Sequence, residues 1–300
     1  MRTCPACNAD VPIADRFCEE CGAHLSGPGK IACSKCGAGP EAIDEDGFCS
    51  ACGFRREAPA RDRFEHVVSP QFAGVTDRGL RHHRNEDFFA MDTVGEDRKI
   101  IVVCDGVSST SEADRASEAA SDAIFRALVQ GEELTAAFAK GQAAVAALAG
   151  DAATTAVSAV VRGRKAQIAW VGDSRAYWIA RENPAQLTRD DSWLNEVTES
   201  GEMAEEDAVK SPQAHAITRW LGGDAQPEEC AARLADFEAL GEGHLLLCSD
   251  GLWNYVPDAA AMAELVYAED ADAASTVRRL VDFANSKGGQ DNITAVLVSL

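Results

Sequence analysis

The chain has 300 residues, an apolar fraction of 46% and a formal net charge of -21, which is enough for one large folded domain of ordinary globular composition plus a small one. The negative balance argues against nucleic acid as a main partner, because phosphate backbones are held by an excess of Lys and Arg. No window approaches the roughly 20 consecutive apolar residues that a membrane span requires.

Met1-Arg-Thr-Cys-Pro-Ala-Cys7 has no apolar signal-peptide core, and a cytoplasmic location is expected. Eight of the eleven cysteines follow within the first 52 residues, as the pairs Cys4 and Cys7, Cys18 and Cys21, Cys33 and Cys36, and Cys49 and Cys52. Two-residue spacing lets both thiolates of a tight turn reach one ion, and two such turns complete a tetrahedral Cys4 zinc site. Two structural zinc ions are therefore expected, one within residues 1–25 and one within 30–54. Gly22, Gly37 and Gly53 follow three of the four knuckles and Asn8 follows the first; both residue types tolerate the left-handed backbone needed there. Four disulfides in a secreted module are the competing arrangement, disfavoured where cytosolic thiols stay reduced. The segment resembles a double zinc ribbon over 1–54. It carries four basic residues against eight acidic ones, so a protein partner or a regulatory contact is expected of it rather than nucleic acid.

Phe54 to Arg63 is charged and without period, and residues 55–68 read as a linker to a domain over 69–300. Strands are expected over 72–76, 87–91, 100–104, 155–161, 167–171, 176–180, 229–234, 245–248 and 293–298. Helices are expected over 112–129, 134–148, 193–200, 257–267 and 273–286. Clustered antiparallel strands with paired helices predict an α/β (α+β) class, with two packed antiparallel sheets flanked by helices in an α-β-β-α sandwich.

Acidic residues stand at the ends of these apolar runs: Glu86-Asp87, Asp105-Gly106, Asp173, Asp250-Gly251 and Asp291-Asn292. Ile100 to Cys104 stops abruptly at Asp105-Gly106, where a glycine lets the backbone turn and expose a carbonyl. His244 to Ser249 repeats the design before Asp250-Gly251. One such pair is an ordinary turn, but the whole series is how a fold gathers carboxylates around hard metal ions.

Gly74 to Gly79 with Asn85-Glu-Asp87, Val103-Cys-Asp-Gly106, Gly172-Asp-Ser-Arg-Ala-Tyr177, Ala216-Ile-Thr-Arg219, Leu247 to Trp253 and Gln290-Asp-Asn-Ile-Thr294 follow one another in a telling order. In that order and spacing the chain resembles the metal-dependent Ser/Thr protein phosphatases of the PPM or type 2C family, bacterial type, over about residues 71–300. The resemblance implies hydrolysis of phosphoserine and phosphothreonine in the phosphoprotein products of a Ser/Thr kinase. An all-oxygen site suits Mg²⁺ or Mn²⁺ better than zinc. One carboxylate can bridge two ions roughly 3.5–4 Å apart, so that a water held between them attacks phosphorus in line. By resemblance, Asp105 is the bridge, Asp250 and Asp291 complete one ion's shell, and Glu86 with the Gly106 carbonyl serves the other. Asp87 would bind metal directly or through water, and Asn292 would orient Asp291. A weak third ion would use Asp173 and Asp250, with Asn254 standing where the family has an acid. Asn195 to Pro212 resembles the flap that borders the active site.

The family's phosphate-gripping arginine, four residues before the glutamate, is here His82. Arg81 points to the opposite face of an extended segment, whereas Arg84 shares the face of His82. The grip is open among His82, Arg84 and a locally shifted Arg81. Val107-Ser-Ser-Thr-Ser111 replaces a glycine-rich stretch containing a histidine, which implies a reshaped loop. Asp190 or Asp191 is expected to cap the helix that begins near Trp193. Two other function classes compete: a catalytically silent phosphatase-fold scaffold that binds phosphoproteins, and a zinc-ribbon adaptor in transcription or translation. Retention of every proposed ligand argues against the first, and the acidic ribbons against the second.

Overall fold

The computed structural model describes residues 2–3, 10–11, 35–39, 42, 49–53, 61–110, 112–148, 150–226 and 228–300. The chain divides into two compact units, Met1–Pro59 and Ala60–Leu300. In the first, β1 (Arg2–Thr3) pairs antiparallel with β2 (Asp10–Val11).

The second unit begins with β3 (Arg63–Ser69), β4 (Phe72–Asp77), β5 (Asp87–Val94) and β6 (Arg98–Asp105), then α1 (Ala113–Val129) and α2 (Leu134–Ala146). Next come β7 (Ala153–Thr154), β8 (Ala156–Arg162), β9 (Lys165–Val171), β10 (Arg175–Ile179) and β11 (Ala185–Gln186). Short helices α3 (Trp193–Glu199) and α4 (Glu205–Ala208) lead to β12 (Leu221–Gly222), β13 (Arg233–Glu238) and β14 (His244–Cys248). The unit closes with α5 (Asp250–Trp253), α6 (Ala259–Val266), α7 (Ala273–Ser286) and β15 (Ile293–Ser299).

Strand periodicity explains the layering. Alternate side chains of a strand point to opposite faces, and here both faces are apolar. Ile101 and Val103 of β6 face Leu245, Leu247, Val296 and Val298 in the core between the sheets. Their neighbours Ile100, Val102 and Cys104 turn outward onto α1 and α2, while Leu246 and Cys248 turn onto α6 and α7. The six-stranded sheet runs β11-β10-β14-β15-β4-β3 and the five-stranded one β13-β9-β8-β6-β5, with every pairing antiparallel. This is the expected α-β-β-α sandwich. Among the described residues no helix is long and apolar enough to cross a membrane.

Two expectations are corrected. Residues 63–68, read as part of the linker, form most of edge strand β3. The strand escapes pattern reading because its outward side chains are charged: Arg63 pairs with Asp77 and Asp282, and Glu65 with Arg278. Only Phe64, stacked on Phe89 at 4.8 Å, and the half-buried Val68 pack onto the core from it. The strand expected over 229–234 lies at 233–238 instead, because Leu234 faces solvent while Ala235 and Phe237 pack inward.

Register carries the acids to one end of the sandwich. Asp87 opens β5 directly opposite Asp105, which closes β6. Cys248 of β14 stands opposite both Arg175 of β10 and Ala295 of β15, so Asp250, Asp173 and Asp291 lie just beyond those strands at that same end. A cavity of about 840 Å³ lined by Trp178, His244 and Tyr267 occupies the other end and contains none of these acids.

Candidate active site

Five carboxylates from both sheets converge. Burial, and then the neighbouring acids, push the carboxyl groups of Asp105 and Asp250 well above the usual range, and Asp105 faces Asp87, Asp250, Asp291 and Asp173. Asp87 is pushed up to about 7, chiefly by burial, and Asp173 to about 7, by burial and then Asp190. Asp87 Oδ1 and Asp250 Oδ1 are buried without a hydrogen-bond partner. Orphaned buried carboxylate oxygens amid like charges fit a site for hard cations, which such oxygens ligate.

A polar network that sequence reasoning gave no role holds this cluster. The other oxygen of Asp87 accepts from Ser249 Oγ at 2.6 Å and from Thr294 Oγ1 at 2.7 Å. Asn85 Nδ2 reaches Thr76 Oγ1 at 2.9 Å, and the Thr76 and Thr294 hydroxyls are 2.7 Å apart. Arg61 fixes the start of β5 from outside, donating to the carbonyl of Asn85 at 2.9 Å and to Glu118 at 2.6 Å. The only signal in the sequence is position: Ser249 and Thr294 stand inside motifs that also carry the acids.

Asn292 differs from its expected role. Its backbone N–H, not its side chain, donates to Asp291 Oδ1 at 2.8 Å. The side-chain amide donates to the carbonyls of Arg78 at 2.7 Å and Arg84 at 3.0 Å, while its oxygen accepts from the Glu86 N–H at 2.7 Å. One side chain therefore ties the 78–86 loop to the residue after Asp291. Glu86 is also held by Ser108 Oγ at 2.5 Å, so the reshaped loop supplies a donor of its own. Gly106 and Gly251 are required for close approach rather than for turning, since neither has a positive φ. A Cβ on Gly106 would stand 2.3 Å from the Ala113 carbonyl oxygen, and one on Gly251 1.9 Å from that of Asn292.

His82 lies between Glu86 and Asp291. Its Nε2 is 3.2 Å from Asp291 Oδ1 and its Nδ1 3.9 Å from Glu86 Oε2. Arg84 is near Asp114, with Nη1 3.9 Å from Oδ1, and Arg81 is exposed. Beside Asp173 a cavity of about 400 Å³ is lined by Arg175, Asn195, His215 and Trp253, so the expected flap segment borders it through α3. Asp190 and Asp191 do not cap that helix; Ser192 does. Asp190 instead forms a two-pronged pair with Arg175 at 2.9 and 2.6 Å, and Arg175 lies 3.6 Å over the Trp253 ring. Asp191 accepts from the Gly172 N–H at 3.0 Å and pairs with Arg233 at 2.5 Å.

In the first unit, Cys36, Cys49 and Cys52 offer sulfur atoms within 4.8 Å of one another. Cys36 and Cys49 Sγ are 3.6 Å apart, close to the edge of about 3.8 Å of a tetrahedron with Zn–S bonds of about 2.3 Å. Gly37 and Gly53 take φ of 75° and 70°, as the knuckle geometry demands, and the Gly53 N–H donates to the Cys49 carbonyl at 2.7 Å. Cys4, Cys7, Cys18, Cys21 and Cys33 lie outside the described residues.

The family model described as Protein phosphatase 2C matches residues 80–297, and that of the Double zinc ribbon matches residues 4–53. The serine/threonine phosphatase stp of Listeria innocua is 35% identical over 248 residues, covering 74% of this chain and 93% of that protein. PstP of Mycobacterium tuberculosis, a serine/threonine protein phosphatase, is 30% identical over 247 residues, 77% of this chain and 45% of its own length. Among solved structures, Stp1 from Staphylococcus aureus superimposes with a TM-score of 0.68 at 25% identity, covering 78% of this chain and 96% of that one. The catalytic domain of PstP in complex with two manganese ions gives 0.61 at 28%, covering 76% and 97%.

Proposed function

The chain belongs to the protein phosphatase 2C family and is a Ser/Thr protein phosphatase with a double zinc ribbon ahead of its catalytic unit, and from that premise we propose that it works with two Mn²⁺ or Mg²⁺ ions held by the strand-end acids. The observation that carries this proposal is the pair of orphaned oxygens on Asp87 and Asp250 within a set of mutually facing buried carboxyls. Asp105 would be shared by both ions, Asp250 and Asp291 would hold one, and Glu86 with the Gly106 carbonyl the other. When bound, the ions supply a water activated near neutral pH and polarise the phosphoryl group. Asp87, locked through one oxygen by Ser249 and Thr294, would offer its orphaned oxygen to an ion directly or through water, and Asn292 would hold Glu86 and Asp291 in mutual register. A third ion at Asp173 and Asp250 would bind weakly, because Asn254 Nδ2 already occupies Asp250 Oδ2 at 3.2 Å. The substrate is a phosphoprotein of the kind a Ser/Thr kinase makes, lying along the cavity beside Asp173.

The phosphate grip falls to Arg84, since the ring nitrogens of His82 face carboxylates and the Arg84 backbone is fixed by Asn292. Charge-assisted hydrogen bonds contribute about 1.5–3 kcal/mol, so Arg84→Ala should raise KM for a phosphothreonine peptide roughly ten- to a hundredfold with a much smaller change in kcat. An unchanged KM, with the rise appearing in Arg81→Ala instead, would move the grip to Arg81.

The ribbons are proposed as a docking or regulatory module with two Cys4 zinc ions. Elemental analysis should find two zinc ions per full-length chain and none in residues 60–300, which should keep phosphatase activity. The stp relative supports this independence, since 74% of this chain covers 93% of it. Starting at residue 70 instead would delete β3 and its ion pairs and should lower the melting temperature. Zinc retained by 60–300, or inactivity of that unit, would count against a separable module. A silent scaffold keeps a place as the second reading, resting on His82 at the usual arginine position, and turnover decides it.

A further inference from the structure

We propose that His82 is a direct ligand of the ion held by Asp291, so that this metal centre takes one imidazole nitrogen among its oxygens. The inference deepens the proposed function and rests on Asp291 being a ligand there. Two donors on neighbouring corners of an octahedron, with bonds of about 2.0–2.2 Å, stand about 3 Å apart. His82 Nε2 lies 3.2 Å from Asp291 Oδ1. The other ring nitrogen points away toward Glu86, 3.9 Å from Oε2. A metal-bound histidine almost always directs its second N–H at a carboxylate, carbonyl or water, and Glu86 is the carboxylate on that side of the ring, beyond direct hydrogen-bond reach.

The backbone carrying the ring is fixed to match. The Arg78 guanidinium donates to the His82 carbonyl, and Asn292 binds the carbonyls of Arg78 and Arg84 on either side. With 26% of its side chain exposed, the ring is reachable by an incoming ion. An arginine here would have no lone pair to offer, because the guanidinium stays protonated. Oxygen ligands suit both Mn²⁺ and Mg²⁺, but Mg²⁺ is the smaller and harder ion and the more reluctant to exchange water for a nitrogen ligand. His82 therefore sets metal choice, favouring Mn²⁺ over Mg²⁺.

The test uses the full-length, zinc-loaded chain titrated with Mn²⁺ and followed by electron paramagnetic resonance, with spin-echo modulation detecting nitrogen bound directly to manganese. Zinc is silent in this measurement. Wild type should show a directly bound nitrogen whose signal changes on ¹⁵N-histidine labelling, which needs no mutation. His82→Gln should lose that nitrogen, with Mn²⁺ affinity falling about tenfold and Mg²⁺ affinity, read by competition, changing by less than about twofold; His83→Gln should retain it. Tight Mn²⁺ binding with no nitrogen coupling in wild type would overturn the His82 assignment and leave the acidic site standing. Mn²⁺ affinity unchanged in Asp291→Asn would overturn the site itself and this inference with it.

Discussion

Replacing Asp105 with Asn is expected to lower kcat/KM on a phosphothreonine peptide by at least about a thousandfold, a loss of about 4 kcal/mol in transition-state stabilisation. The same change should raise the melting temperature of the metal-free protein. Asp105 is half-buried among four other acids, and desolvation followed by those acids holds its carboxyl well above the usual range. An amide of the same shape removes an acid that folding forces either to stay charged among like charges or to take up a proton, so the fold gains. It also removes the one carboxylate placed to serve both ions, so the chemistry is lost. Opposite signs in stability and activity distinguish a functional site from a structural ion network. Near-normal turnover, or a lower melting temperature, would contradict the assignment.

The second expectation concerns pH. Asp87 and Asp173 sit at about 7 in the folded chain, against about 3.9 unfolded. Below pH 4 both states are protonated and the difference vanishes. Between about pH 4 and 7 the unfolded chain has released protons that the folded one still holds, so stability falls as pH rises through that window. The catalytic unit 60–300, stripped of divalent ions, should therefore melt at progressively lower temperature from pH 5 to pH 7.5. Added Mn²⁺ binds the folded state and should reverse the loss, with a larger gain at pH 7.5, where ligands no longer carry protons. A melting temperature that rises over this range without metal, or an Mn²⁺ effect independent of pH, would sink the account of the buried acids.

The sandwich was legible because both faces of its central strands are buried, leaving runs such as Ile100 to Cys104 and Leu245 to Cys248 apolar at every position. The acids were legible because each interrupts such a run, and register then brings them together. Strand β3 was not, since exposed His66 and Val67 break the alternation that Arg63, Phe64 and Glu65 begin. Nor was β13, where Leu234 faces solvent and shifts the apparent period. Glycine was correctly placed and wrongly explained at Gly106 and Gly251: a sequence shows where glycine stands but not which carbonyl approaches it. The roles of the Ser249 and Thr294 hydroxyls were not legible, although both stand beside the acids in sequence, because a hydrogen bond to Asp87 spans about 160 and 200 positions of chain. Asp190 and Asp191 are not the caps their position suggested, because their partners Arg175 and Arg233 stand on β10 and β13 rather than in the adjoining helix.

The most direct measurement is phosphate release from a phosphothreonine peptide by the metal-stripped full-length chain as Mn²⁺ is added, with binding followed in parallel. The account predicts no turnover without ions and activity that rises with occupancy of two sites. Full turnover in excess chelator, or two ions bound with no phosphate released, would contradict it.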